Sequence, residues 1–227
     1  MNHPCLLLVL TLFFATSLGA AELKLSGKGV DIAAGSLGAF TLSYPEFLDS
    51  SQTTVNPQIE VRIDGPSATV QYEGGAECAV TIEEGEIRLT FKGLKDEVKS
   101  WKMTTLIDIG FAKGGSWKIA DKEGVFPALK ASPPQIASLN GTNFLLKNAQ
   151  GQSLSLVTPD YAFQQLTDNR EWNWAVYHWQ FLVPFGPDQT SSTIKVSSDL
   201  GATVTLIDSF GQSLSDSCPT KLPDLEA

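Results

Sequence analysis

The sequence predicts an all-β protein, a two-layer antiparallel β-sandwich of the jelly-roll or supersandwich type with about 14–16 strands. Three observations predict it. From residue 58 onward apolar and polar residues alternate with a period of two, the signature of strands with one buried and one wet face. The separators are short and rich in Gly, Asp, Pro and Ser. Beyond the first 20 residues, no segment keeps a helical period for the three turns of an ordinary helix.

The chain opens with an apolar run, Cys5 to Ala15, of the length of a signal-peptide core and too short to span a bilayer. The small residues Ser17, Gly19, Ala20 and Ala21 follow it, so cleavage is expected after Ala20 or Ala21, although the segment before the run has no Lys or Arg. The expected organisation is a signal peptide over 1–20, one sandwich domain over 21–216 and a tail over 217–227. The expected location is secreted, either extracellular or periplasmic. Cys5 leaves with the signal peptide. The remaining pair, Cys78 and Cys218, is expected to form one disulfide, as an even pair in an exported protein suggests.

Glu22–Ser26 and 38–43 read as the first strands. The clearest pattern follows: Ile59, Val61 and Ile63, then Ala68, Val70 and Tyr72, then Ala76, Cys78, Val80 and Ile82, then Ile87, Leu89 and Phe91. Turns at 64–67, 73–75 and 83–86 join these runs into an antiparallel meander with Cys78 on its inward face. Trp101–Ile109 reads as a long strand, and Ser116–Ala120 follows the Gly114-Gly115 turn. Residues 121–135 contain Pro127, Pro133 and Pro134, which predicts a long connection. The hairpin 143–158 comes next, then a strand from Phe163, a strand over Glu171–Val183, and closing strands at 193–197 and 202–207.

The net charge of −9 argues against nucleic acid as a partner. Residues 88–122 run against this balance, with eight Lys or Arg against four acids, a solvated face or a landing surface for an acidic polymer.

The unusual segment is Asp168–Val183. It holds three of the five Trp residues and His178, the one histidine besides His3. Read as a strand, it puts Trp172, Trp174, Val176 and His178 on one side and Tyr177, Trp179 and Phe181 on the other. These rings could all be core. Alternatively one side lines a groove, where indoles and phenols stack on the C–H faces of sugars while amides and charged groups bind hydroxyls. The expected ligand-binding residues are Tyr161, Gln165, Asp168, Arg170, Trp172, Trp174 and His178, with Asn169, Asn173 and Gln164 nearby. The candidates for catalysis are His178, Tyr177 and Arg170, as a proton-abstracting base with a carboxylate-neutralising cation. No Gly-x-Ser-x-Gly and no paired-carboxylate motif marks a reaction. One mature His and two Cys make no ordinary zinc site, and no cofactor is expected. A calcium site using Asp108, Asp160 or Asp168 is unmarked by any Asp-x-Asp-x-Asp-Gly loop.

Several strings from Trp101 onward carry a family likeness: Gly114-Gly115-Ser116-Trp117, Phe126-Pro127, Leu156 to Tyr161, and Gln164 to Trp172. Over roughly 100–198 the chain resembles secreted bacterial β-sandwich proteins associated with polysaccharide degradation. It lacks the Gln-Ile-His strand of one jelly-roll alginate lyase group; its nearest string is Gln135-Ile136-Ala137. The resemblance implies export, a sandwich and a glycan context, and it implies no catalytic residue. The reading is therefore a secreted protein that binds a polysaccharide or oligosaccharide in an aromatic-lined groove. The alternatives are a polysaccharide lyase, or other carbohydrate-active enzyme, acting on an acidic glycan, and a non-catalytic structural or cell-surface protein.

Overall fold

The structure, a computed structural model, describes residues 21–34, 39–159 and 162–199. It is all-β, with seventeen strands among the described residues, all paired antiparallel. The sequence pattern counts slightly fewer because several short strands lack a full alternating repeat.

Strands β1 (Glu22–Ser26), β2 (Gly29–Ala33) and β3 (Ala39–Ser43) form a small sheet. Next come β4 (Glu46–Leu48) and the meander β5 (Gln58–Asp64), β6 (Ser67–Tyr72), β7 (Glu77–Glu83) and β8 (Glu86–Lys92). The meander pairs in chain order, as its short turns require. The long strand β9 (Ser100–Asp108) ends in a helical turn over Ile109–Ala112, which the Asp108 carboxylate caps by accepting from the Phe111 N–H at 3.2 Å.

Two positions depart from the sequence pattern. Residues 121–135 are not one connection: β10 (Ser116–Ile119) turns at Ala120, which takes a positive φ of 51°, into β11 (Lys122–Val125). The prolines that break the sheet begin only at Pro127. Likewise the strand expected over Glu171–Val183 starts five residues late. β15 (Phe163–Asp168) ends in a 3-10 turn over Asn169–Trp172, and Asn173 is left-handed with φ 63° before β16 (Val176–Pro184) begins. Between these lie β12 (Gln135–Asn140) and the hairpin β13 (Asn143–Lys147) and β14 (Ser153–Val157); β17 (Ser191–Asp199) closes the described chain. The strand expected at 202–207 and the tail lie outside the described residues.

Nine strands form one layer in the order β11-β10-β13-β14-β17-β8-β7-β6-β5, and five form the other in the order β12-β15-β16-β9-β4. Their facing sides make one core. Phe144 of the larger sheet stacks on Trp179 of the smaller with ring centroids 4.5 Å apart, and Phe91 meets Trp101 at 5.7 Å. A buried amide ties the five-stranded layer to the β12–β13 connection. Gln164 Oε1 accepts from Trp179 Nε1 at 3.1 Å, and Gln164 Nε2 donates to the Gly141 carbonyl at 2.9 Å. Gln164 is thus a core residue and presents nothing to a ligand. Cys78 is wholly buried on the inner face, as its alternation predicts, and burial pushes its thiol well above the ordinary range. It is a free thiol among the described residues, and its expected partner Cys218 lies outside them.

No described helix is long and apolar enough to cross a membrane. The basic residues of 88–122 do not form one surface. Arg88 pairs with Glu83 and Glu86 on the nine-stranded sheet, whereas Lys102 pairs with Glu46 on the five-stranded one. They are a solvated face divided between two layers.

Candidate functional site

The site begins with a buried ion pair. Asp168, the last residue of β15, is fully buried, and its carboxylate accepts from Arg170 Nε at 2.9 Å, Arg170 Nη2 at 2.7 Å and the backbone N–H groups of Arg170 at 3.1 Å and Ala131 at 2.8 Å. Burial alone would raise the Asp168 pKa, but these donors outweigh it and hold the carboxyl below the usual range. Arg170 Nη1 donates to the Ala128 carbonyl at 3.1 Å, while Nη2, besides Asp168, lies 2.9 Å from the carbonyls of Pro127 and Leu129 and 3.1 Å from the Tyr177 hydroxyl. Tyr177, buried on the inner side of β16, donates to the Pro127 carbonyl at 2.6 Å. Burial, partly offset by Arg170, raises its pKa.

This clamp fixes both the 127–131 loop and the turn that follows β15. The turn closes with Asn173 N–H on the Arg170 carbonyl and Trp174 N–H on the Asn169 carbonyl, each at 3.2 Å. Lys130 and Glu171 pair across it at 2.5 Å. Because the chain curls here instead of running on as a strand, Trp172 and Trp174 do not enter the sheet. They stand out of it with 56% and 61% of their surface in water. The other three, Trp101, Trp117 and Trp179, are buried.

The two exposed indoles border a hollow of ≈ 520 Å³, together with Gln165, Thr167, Asn169 and His178. Its floor is the outer face of the five-stranded sheet, where Thr167 of β15 lies directly opposite His178 of β16. Alternation along β16 sends Tyr177, Trp179, Phe181 and Val183 into the core and leaves His178 and Gln180 outside. A ladder of amides runs on from the hollow: Gln180 Nε2 donates to Gln165 Oε1 at 2.7 Å, and Gln165 Nε2 to Gln135 Oε1 at 2.9 Å. The side chains of Thr167, Asn169 and His178 make no hydrogen bond to another described residue, which leaves a hydroxyl, an amide and an imidazole at the hollow. Burial, and secondarily Lys102, hold His178 below the ordinary imidazole range, so it is neutral at neutral pH.

Of the residues expected at a site, the structure gathers Gln165, Trp172, Trp174 and His178, with Asn169 beside them. Asp168, Arg170 and Tyr177 belong to the clamp and do not line the hollow; Tyr161 lies outside the described residues. Thr167 is the lining residue that sequence reasoning missed, since its place depends on the β15–β16 register. No group of three or more His, Cys, Asp or Glu able to hold a metal occurs among the described residues. The calcium candidates Asp108 and Asp168 serve as a turn cap and an ion-pair partner, and Asp160 lies outside the described residues.

No family pattern and no curated protein matches the chain. Among solved structures, the ligand-free α-N-acetylgalactosaminidase NagBb from Bifidobacterium bifidum aligns at a TM-score of 0.50 and 9% identity, over 80% of this chain and 35% of that one. A family GH31 sulfoquinovosidase from E. rectale aligns at 0.42 and 8%, over 77% and 32%, and a family GH92 inverting mannosidase from Bacteroides thetaiotaomicron at 0.42 and 10%, over 77% and 24%. The chain thus spans about a third or less of the length of these proteins. At 9% identity, the likeness to the NagBb structure is one of fold alone.

Two consequences are measurable. Arg170→Ala strands a buried carboxylate, so unfolding free energy should fall by about 3–5 kcal/mol and the Ala131 amide should lose hydrogen-exchange protection; a loss within about 0.5 kcal/mol would contradict the clamp. His178 is less basic folded than unfolded, so its contribution is intact above about pH 6.5 and declines as pH falls, when the unfolded chain takes up a proton that the fold resists. Denaturant titrations over that interval should show a shallower pH slope for His178→Gln than for the parent. Identical slopes would contradict the placement of His178.

Proposed function

We propose that this is an exported, non-catalytic carbohydrate-binding sandwich that holds a neutral polysaccharide or oligosaccharide in the groove between Trp172, Trp174 and His178. The observation that carries the reading is the exposure of two neighbouring indoles beside a hollow lined with uncommitted polar groups. Burying an indole is favourable, and the same chain buries its other three Trp. Two rings held in water by a rigid turn suit a ligand with flat apolar patches, and a hydroxyl, an amide and an imidazole suit one with many directional hydroxyls. A pyranose has both.

Neutrality of the ligand follows from the lining. Gln165, Thr167, Asn169, Trp172 and Trp174 carry no charge, His178 is uncharged at neutral pH, and a chain with net charge −9 repels a polyanion. The same geometry supports binding over lyase chemistry, because the cation that would neutralise a uronate, Arg170, is committed to Asp168 and three carbonyls. That a protein of similar fold is an α-N-acetylgalactosaminidase agrees with a glycan context without carrying it.

Affinity electrophoresis against neutral, uronate and sulfated glycans tests the reading. Retardation is expected on a neutral glycan, insensitive to salt, and weakened at least about tenfold by Trp172→Ala or Trp174→Ala. No retardation on any glycan, or variants that bind like the parent, would overturn it.

A further inference from the structure

The nine-stranded sheet ends at β5, and no described strand pairs with its outer side. Every residue of β5 except Val61 is exposed, including Ile59 at 61% and Ile63 at 46%. Val61 and Ile63 sit opposite Val70 and Ala68 of β6, which are buried, so the apolar face of the layer runs past the core and stops at an open edge. Such an edge is a template for another strand, and chains blunt it with charged side chains, prolines or bulges unless those charges find partners across the contact. Here the bulge lies at the start of the strand, between Gln58 and Glu60, and no proline interrupts it.

The charges on β5 alternate in sign. Glu60 and Arg62 share one face and pair at 2.8 Å. An antiparallel two-fold centred on Val61 would set Glu60 opposite the second copy's Arg62, and Arg62 opposite the second copy's Glu60. It would set the two Val61 residues against each other on the face shared with the buried Val70 and Ala68 of β6. The edge is therefore complementary to itself in charge, with Val61 at the centre of the contact.

We propose that β5 is a homodimer edge, pairing antiparallel with β5 of a second copy of this chain in an isologous contact that continues the nine-stranded sheet across two molecules. The contact lies on the larger sheet and leaves the groove, on the outer face of the smaller sheet, unobstructed, so each dimer presents two grooves.

Sedimentation velocity across a wide concentration range tests it, using the parent chain, Glu60→Arg, Arg62→Glu and an equimolar mixture of the two variants. Both substitutions are at exposed side chains, and circular dichroism checks that the fold is kept. The parent should dimerise, and each variant alone should self-associate at least about tenfold more weakly, because like charges then face each other. The mixture should dimerise again, since the copy carrying Glu60→Arg presents two cations on this face and the copy carrying Arg62→Glu presents two carboxylates. A loss of the intrastrand pair alone would not be repaired by mixing. A parent that is monomeric throughout, or a mixture no stronger than its components, overturns the proposal.

Discussion

The buried pair of Asp168 and Arg170 is the constraint from which the site follows. An ionised carboxylate at full burial is costly unless every lone pair is engaged, and here two guanidinium nitrogens and two backbone N–H groups engage it. Arg170 in turn needs acceptors, and it finds them in three successive carbonyls of the loop that the prolines keep out of the sheet. A polar requirement at one strand end is thus met by ordering a distant loop. The turn caught between them cannot extend, and two tryptophans remain outside the core.

Below that turn the sheet does two jobs at once. β16 has one side in the densest part of the core, where Trp179 stacks on Phe144 and bonds Gln164, and the other side open as the floor of the hollow. A ligand resting on Thr167 and His178 would therefore meet side chains whose backbones are fixed by the core immediately behind them. Such pre-organisation lowers the ordering cost of binding.

Much of the fold is legible in the sequence because period-two alternation reports the buried face directly. The meander from Ile59 to Phe91, the inward Cys78 and the inward Tyr177, Trp179 and Phe181 all follow from it. The aromatic segment is legible as unusual, but its geometry is not. Trp172 and Trp174 keep the alternation of a strand, and nothing local announces that Asp168 will cap a turn; that depends on carbonyls some forty residues earlier in the chain. The same long-range link places Arg170 in the clamp rather than along the hollow. Thr167 escapes notice because cross-strand register decides its neighbours. Short strands such as β2, β4 and β11 escape it too, since three to five residues carry too little pattern.

The five tryptophans offer the most direct test of the central claim, that the two carried by the turn are free to meet a saccharide. Indole N–H resonances can be followed while a neutral oligosaccharide is titrated into the full chain. The account predicts progressive, saturable shifts at Trp172 and Trp174, a smaller response at the His178 imidazole, and stationary signals from Trp101, Trp117 and Trp179. Saturable shifts confined to the three buried indoles, or no shift at the two exposed ones with any neutral sugar, would contradict it.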